Sequence, residues 1–261
     1  MSRTAFFTKP YLLPGPNGED PWRGEPMFPL ETFQAMFDRA YQLGLPLSIH
    51  ANGDAAIDML LAAHEKAAGE RKGEELGTTI IHSQFVRKDQ LEKYAQFKIN
   101  VSFYTEHTFF FADTHLKNLG PERTHPCSPM KTALGLGLHC TNHTDFSVLP
   151  IDQLMTMGTA VNRIARSGLA IGPEERVTPL QALRAITIEG AHQHGEEATK
   201  GSLEVGKLAD LAILSANPLK VEPMAIQTIR VLGTVKEGKT IYRSDQASFL
   251  PTLESRAHVA S

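Results

Sequence analysis

The chain has 261 residues, 41% of them hydrophobic and 21% charged, and a formal net charge of -3. That is enough apolar material for one large domain or two smaller ones, and the charge balance leaves no basic surface for nucleic acid or anionic lipid. Only Cys127 and Cys140 are present, far apart in sequence, which excludes a disulfide framework; with no membrane-length apolar run and no signal-peptide start, the expected location is cytoplasmic.

Residues 1–29 hold Pro10, Pro14, Pro16, Pro21 and Pro26, which rules out a long helix or central strand and predicts a loop. Such a loop is either a lid over a site or an ordered surface wrap. Residues 30–43 place Phe33, Met36, Phe37, Ala40 and Leu43 at helical spacing, with Gly44 as the stop. A short strand over 46–49 then closes on His50. Asn52 and Gly53 supply a turn, and Asp54 is expected to cap a helix whose buried face is Ile57, Leu60, Leu61 and His64.

One histidine at a strand end is as readily a packed core residue as a functional one, but the pattern repeats. Thr78-Thr79-Ile80-Ile81-His82 is again a β-branched run closing on histidine, followed by a helix over 88–97. A strand over 97–102 opens into residues 103–115, dense in aromatic and ionisable groups. This segment reads either as an aromatic cluster beneath a loop or as a substrate pocket with His107, Asp113 and His115 as polar anchors. Residues 121–130 read as a loop, 131–137 as a short helix, and a strand then runs through His139 and His143 to end on Asp145. Parallel strands present the residues just beyond their carboxyl ends to a common site, and two imidazoles with a carboxylate are a normal ligand set for a divalent metal.

Residues 151–167 read as the longest helix, with Leu154, Met157, Ala160, Val161 and Ile164 inward and Asn162, Arg163 and Arg166 near the surface. Thr178 and Pro179 start a second helix running to about residue 189. His192 and His194 have metal-pair spacing but sit at a helix end. The last quarter is β-rich, with a turn and strand over 201–214 and a hairpin of 229–235 and 240–243 about Glu237-Gly238-Lys239. The domain division read from this is 1–195, 196–245 and a loose tail over 246–261.

His50-Ala51-Asn52-Gly53-Asp54-Ala55-Ala56-Ile57-Asp58, Ile81-His82-Ser83-Gln84-Phe85, the His143-Thr144-Asp145 tip and Gly201-Ser202-Leu203-Glu204-Val205-Gly206-Lys207-Leu208-Ala209-Asp210 resemble the metal-dependent amidohydrolase superfamily. More narrowly, they resemble amidohydrolase family 3, which includes deformylases of N-substituted formamides. The resemblance implies an α/β fold, a (β/α)8 barrel beside a small β-sandwich, with the matched pieces at the fifth, sixth and eighth strand tips. It implies His50 and His82 as metal ligands, Asp145 as ligand and general base, a divalent metal expected to be zinc, His143 among the substrate contacts, and a small amide-type substrate. The family's first-strand His-x-His pair and fourth-strand lysine have no counterpart in this sequence, so the chain resembles the second half of the barrel with the C-terminal part of the sandwich. Three readings stay open: a carbon–nitrogen hydrolase completed by a second polypeptide or a longer product, an inactive truncated remnant, and an assembly module pairing through open strand edges.

Overall fold

The computed structural model describes residues 3–71 and 74–245. Helix α1 (Leu30–Gln42) leads into strand β1 (Leu47–Ala51), which turns at Gly53 into α2 (Asp54–Ala68). Strand β2 (Thr78–His82) precedes α3 (Lys88–Phe97), and β3 (Asn100–Phe103) precedes the short helices α4 (His107–Phe110), α5 (Ala112–Leu119), α6 (Pro121–Thr124) and α7 (Met130–Gly135). Strand β4 (Cys140–Asn142) is followed by α8 (Gln153–Asn162), α9 (Pro179–Ala185) and α10 (Ile188–Gln193). The chain then builds β5 (Leu211–Leu214), β6 (Val231–Lys236) and β7 (Lys239–Arg243).

The first four strands form one parallel sheet in the order β1-β2-β3-β4, and the last three a small antiparallel sheet. Register aligns Ala51, His82, Phe103 and Asn142 in one row at the carboxyl edge of the parallel sheet. Sequential parallel strands with intervening helices make this part of a (β/α)8 barrel. The core lies between sheet and helices, where Ile57, Leu60, Leu61, Ile80, Leu91, Phe97 and Val101 are all at most 2% exposed. Each such side chain contributes roughly 1.5–3 kcal/mol of burial. The 3-10 segment Pro223–Thr228, which leads into β6, joins the same core through Ile226, and Asn162 Nδ2 donates to the Pro223 carbonyl at 2.9 Å.

Several expected features take a different form. Asp54 does not cap α2: Gly53 holds the cap position, and the Asp54 carboxylate instead accepts from the Thr8 backbone N–H at 2.9 Å, the Thr8 hydroxyl and Arg87 Nη1 at 3.1 Å. In α1 the buried residues are Phe37 and Tyr41, whereas Met36 and Leu43 are exposed. The 121–130 loop begins with the helical turn α6. Helix α8 begins at the Asp152 cap and ends at Asn162, well short of the 151–167 period, because Arg163 takes a left-handed φ of 51°. Arg163 is not on the surface but wholly buried. The Thr178 cap is as expected, with Gln181 N–H donating to its hydroxyl at 3.2 Å, but the helix breaks after Ala185 and restarts at Ile188. Residues 246–261, expected to be a tail, lie outside the described residues. No helix among those described is long and apolar enough to cross a membrane.

Candidate metal centre

The row at the carboxyl edge positions the site. His50 lies one residue before the row on β1, His82 within it on β2, and His143 and Asp145 one and three residues beyond it on β4. The His50 and His82 rings lie 4.6 Å apart at 86°, and those of His82 and His143 4.9 Å apart. His82 Nε2 stands 3.8 Å from Asp145 Oδ1. One ligand atom from each of His82, His143 and Asp145 falls within 4.8 Å of the others. The backbone bends to achieve this, with φ of 75° at His82, 45° at Ser83 and 53° at Asp145. Non-glycine residues in that region cost of order 1–3 kcal/mol each and cluster at functional sites.

Burial sets the protonation of these rings. His82 is pushed down to about 3, first by desolvation and then by the neighbouring His143 and His50. His143 is lowered by desolvation, with Asp145 opposing. Neutral imidazoles offer lone pairs, as metal ligation requires.

His143 Nδ1 accepts the Asp145 backbone N–H at 3.1 Å, and its Nε2 is buried without a hydrogen-bond partner. His82, His143 and Asp145 are the groups whose ligand atoms lie close enough together to hold a cation, and His50, with Asn52 Nδ2 3.2 Å from its Nε2, lies beside them. His82 Nδ1 is also buried and unpartnered. A site with two unsatisfied buried imidazole nitrogens and a carboxylate fits a divalent ion and a polar ligand.

The profile of the amidohydrolase family, branch 3, matches residues 1–242. The chain belongs to the amidohydrolase family. An N-substituted formamide deformylase from Arthrobacter pascens is 28% identical over 205 residues, covering 78% of this chain and 38% of that protein. Two crystal structures of uncharacterized metal-dependent hydrolases are similar. The one from Pyrococcus furiosus has a TM-score of 0.69 at 30% identity, covering 84% of this chain and 42% of that one. The one from Pyrococcus horikoshii OT3 has a TM-score of 0.71 at 26% identity, covering 85% and 43%. The chain therefore spans less than half the length of each of these relatives.

In this amidohydrolase chain a cavity of about 370 Å³ adjoins the strand tips, walled by the N-terminal segment and by His50, Asn52, Phe85, His107 and His115 among others. The segment is an anchored wall. Thr8 bonds to Asp54, Leu12 N–H donates to the Asn118 carbonyl at 2.8 Å, and Arg123 Nη2 donates to the Pro10 carbonyl at 2.8 Å. His107 and His115 stack at 8° with Nδ1 and Nε2 3.0 Å apart, and burial drives His107 well down and His115 to about 4. Asp113 is not brought into this cavity; it accepts from Ser167 Oγ at 2.6 Å outside it. His192 and His194 form no metal group among the described residues: His192 stacks on His139 at 3.7 Å, and its Nε2 lies 3.5 Å from Glu75.

Tyr104, beside the site, and Glu106, buried two residues further on, escape sequence reasoning. Tyr104 follows β3 directly, stacks on His143 at 5.2 Å, and keeps a buried, unpartnered hydroxyl. Its position just past a strand end was the signal that could have found it. Glu106 is 1% exposed, accepts from Thr156 Oγ1 at 2.6 Å, and is raised to about 7, chiefly by burial. Nothing in its local sequence marks it.

Proposed function

We propose that the chain carries the water-activating portion of a metal-dependent amidohydrolase that cleaves non-peptide carbon–nitrogen bonds in small amide-type molecules. The observation that carries this is the approach of His82 Nε2 to Asp145 Oδ1 at 3.8 Å, with His50 and His143 against the same ring. His50, His82 and Asp145 would hold the ion, and nitrogen and carboxylate donors suit zinc. When bound, a divalent ion lowers the pKa of water and polarises a carbonyl. Asp145 receives the proton of the attacking water and returns it to the departing nitrogen. His143 contacts the substrate, and the neutral His107 and His115 face its substituent. The relative from Arthrobacter pascens, a deformylase of N-substituted formamides, supports this substrate class.

A second reading, action through assembly, is favoured by the sheet itself. Among the described residues β1 and β4 each pair along one edge. Either a second copy or a preceding half barrel would cover those edges. The catalytic reading is tested by formate release from N-substituted formamides with zinc in excess. The expected result is slow turnover that Asp145→Asn abolishes while the fold persists. Turnover indifferent to Asp145→Asn would overturn the assignment, and no turnover at any zinc concentration would favour an inactive remnant.

A further inference from the structure

The Tyr104 hydroxyl stands among the rings of the metal centre and has no structural task there. Phe103 pairs with Asn142 at the end of the parallel sheet, and the His143 N–H donates to the Phe103 carbonyl at 2.9 Å, so Tyr104 and His143 are the next residues on neighbouring strands. Their rings stack at 5.2 Å and 23°, the His107 ring meets Tyr104 edge-on at 4.8 Å, and the His82 ring lies 5.8 Å away. Tyr104 is 1% exposed, and its hydroxyl is buried with no hydrogen-bond partner among the described residues. The other tyrosines that pack into the fold are all satisfied. Tyr94 shares a bond with Ser83 Oγ at 3.2 Å, Tyr41 bonds to His64 Nδ1 at 2.5 Å and Thr78 Oγ1 at 2.6 Å, and Tyr11 donates to the Ala5 carbonyl at 2.9 Å.

A buried hydroxyl left unpaired costs free energy that a ligand supplying an acceptor recovers. A phenol is protonated at neutral pH and so has a hydrogen to give. Its backbone is fixed: the Tyr104 carbonyl accepts from His107 N–H at 3.2 Å and Ser128 Oγ at 3.4 Å, and Thr105 N–H donates to Asn142 Oδ1 at 3.2 Å. Donors held in place before the reaction need no reorganisation when charge develops. Among the neighbours Asp145 is an acceptor, and His107 Nδ1 is committed to His115 at 3.0 Å. Resting on the amidohydrolase reading above, we propose that the Tyr104 hydroxyl donates a hydrogen bond to the carbonyl oxygen of the substrate amide, and that this bond strengthens as water adds to the carbon and the oxygen takes up negative charge. Tyr104 is then a catalytic residue by contact alone, and the proton of the attacking water still goes to Asp145.

The test is Tyr104→Phe, which fills the same space without the donor, in excess zinc. Formamide kcat should fall about 10²-fold with KM within about three-fold of the wild type, the mark of a contact made mainly in the transition state. Calorimetric binding of two probes gives a readout besides turnover: N-benzyl methylphosphonamidate has a tetrahedral centre with an anionic oxygen, and N-benzylacetamide is its planar counterpart. The variant should bind the tetrahedral probe at least about ten-fold more weakly and the planar one less than about three-fold more weakly. Because the hydroxyl has no partner in the fold, the urea midpoint should stay level or rise. A kcat within about three-fold of the wild type, equal effects on the two probes, or a lowered urea midpoint would overturn the proposal. Zinc content is read on the same samples. Zinc held and formamide cleaved with Tyr104→Phe unaffected defeats this inference alone, whereas a wild type that neither holds zinc nor cleaves formamide defeats the amidohydrolase reading with it.

Discussion

His82 Nε2 stands 3.8 Å from Asp145 Oδ1 although β3 runs between their strands. Side chains two strands apart in a flat sheet would be separated by about 9–10 Å. Curvature of the barrel wall and the left-handed turns at His82, Ser83 and Asp145 close that gap. Left-handed backbone and unsatisfied buried imidazole nitrogens coincide at this place, as they do at functional sites.

Away from the site, His64 makes the fold sensitive to acid. It is fully buried on α2, with its Nδ1 2.5 Å from the Tyr41 hydroxyl, and burial lowers its pKa from 6.5 to about 4. Above pH 6.5 neither state is protonated there. Between 6.5 and about 4 the unfolded chain takes up a proton that the folded chain refuses, so stability falls through that window by on the order of 2–3 kcal/mol. Urea denaturation at pH 7 and pH 5, which spans about the upper half of that window, should show a loss of up to about 2 kcal/mol in the wild type and a smaller one in His64→Leu. Equal losses would remove His64 as a cause.

Arg163 is expected to be the most sensitive single residue outside the site. Its guanidinium donates to the carbonyls of Ile171 at 2.7 Å, Ser128 at 3.1 Å, His125 at 3.0 Å and Cys127 at 2.7 Å. Arg163→Ala strands buried acceptors, at a cost of about 3–5 kcal/mol. Arg163→Lys keeps the charge but has three donors on one atom and should still lose about 2 kcal/mol. Chemical denaturation of both variants decides it; full rescue by lysine would show that charge, not the fork of donors, matters.

The same residue shows where sequence reading stops. The apolar period from Leu154 to Val161 announces α8, but only the left-handed turn at Arg163 ends it and sends a cation inward, and no periodicity reports that. Strands β1 and β2 were legible because β-branched or apolar runs end on His50 and His82. Helix α3 was legible to the residue, from Lys88 to Phe97. Residues 103–124 were not, because α4 to α6 are too short for a period to register. The strand-tip rule pointed to His50, His82 and Asp145, and the fold brings their side chains near one another, whereas the hydrogen bond from the Asp145 backbone to His143 is one that only three-dimensional structure supplies.

Gly53 joins the N-terminal segment to the site. A Cβ there would stand 2.0 Å from the Phe6 carbonyl oxygen, so Gly53→Ala must push the segment off α2 and loosen the Thr8 bonds to Asp54. Limited proteolysis should cut residues 3–12 faster in this variant, with the parallel sheet intact by circular dichroism. Unchanged cleavage would show that the contact is not what holds the segment.

Among the described residues the outer edges of β1 and β4 have no partner strand, which predicts association. Unpaired strand edges template pairing with other chains, and Met27, Phe28, Met36, Leu45 and Ile151 are exposed apolar side chains. Sedimentation of the purified chain should be concentration-dependent, and an apolar-surface dye should bind. A sharp monomer without dye binding would contradict this.

Metal content after dialysis against zinc tests the central claim most directly. The wild type should retain zinc in substoichiometric amount, because His50 is exposed and the ligands are backed by one curved sheet with open edges. His50→Ala and His82→Ala should lose what is retained, and Asp145→Asn should weaken it. Zinc retained equally by wild type, His82→Ala and Asp145→Asn would place the ion elsewhere and contradict the account.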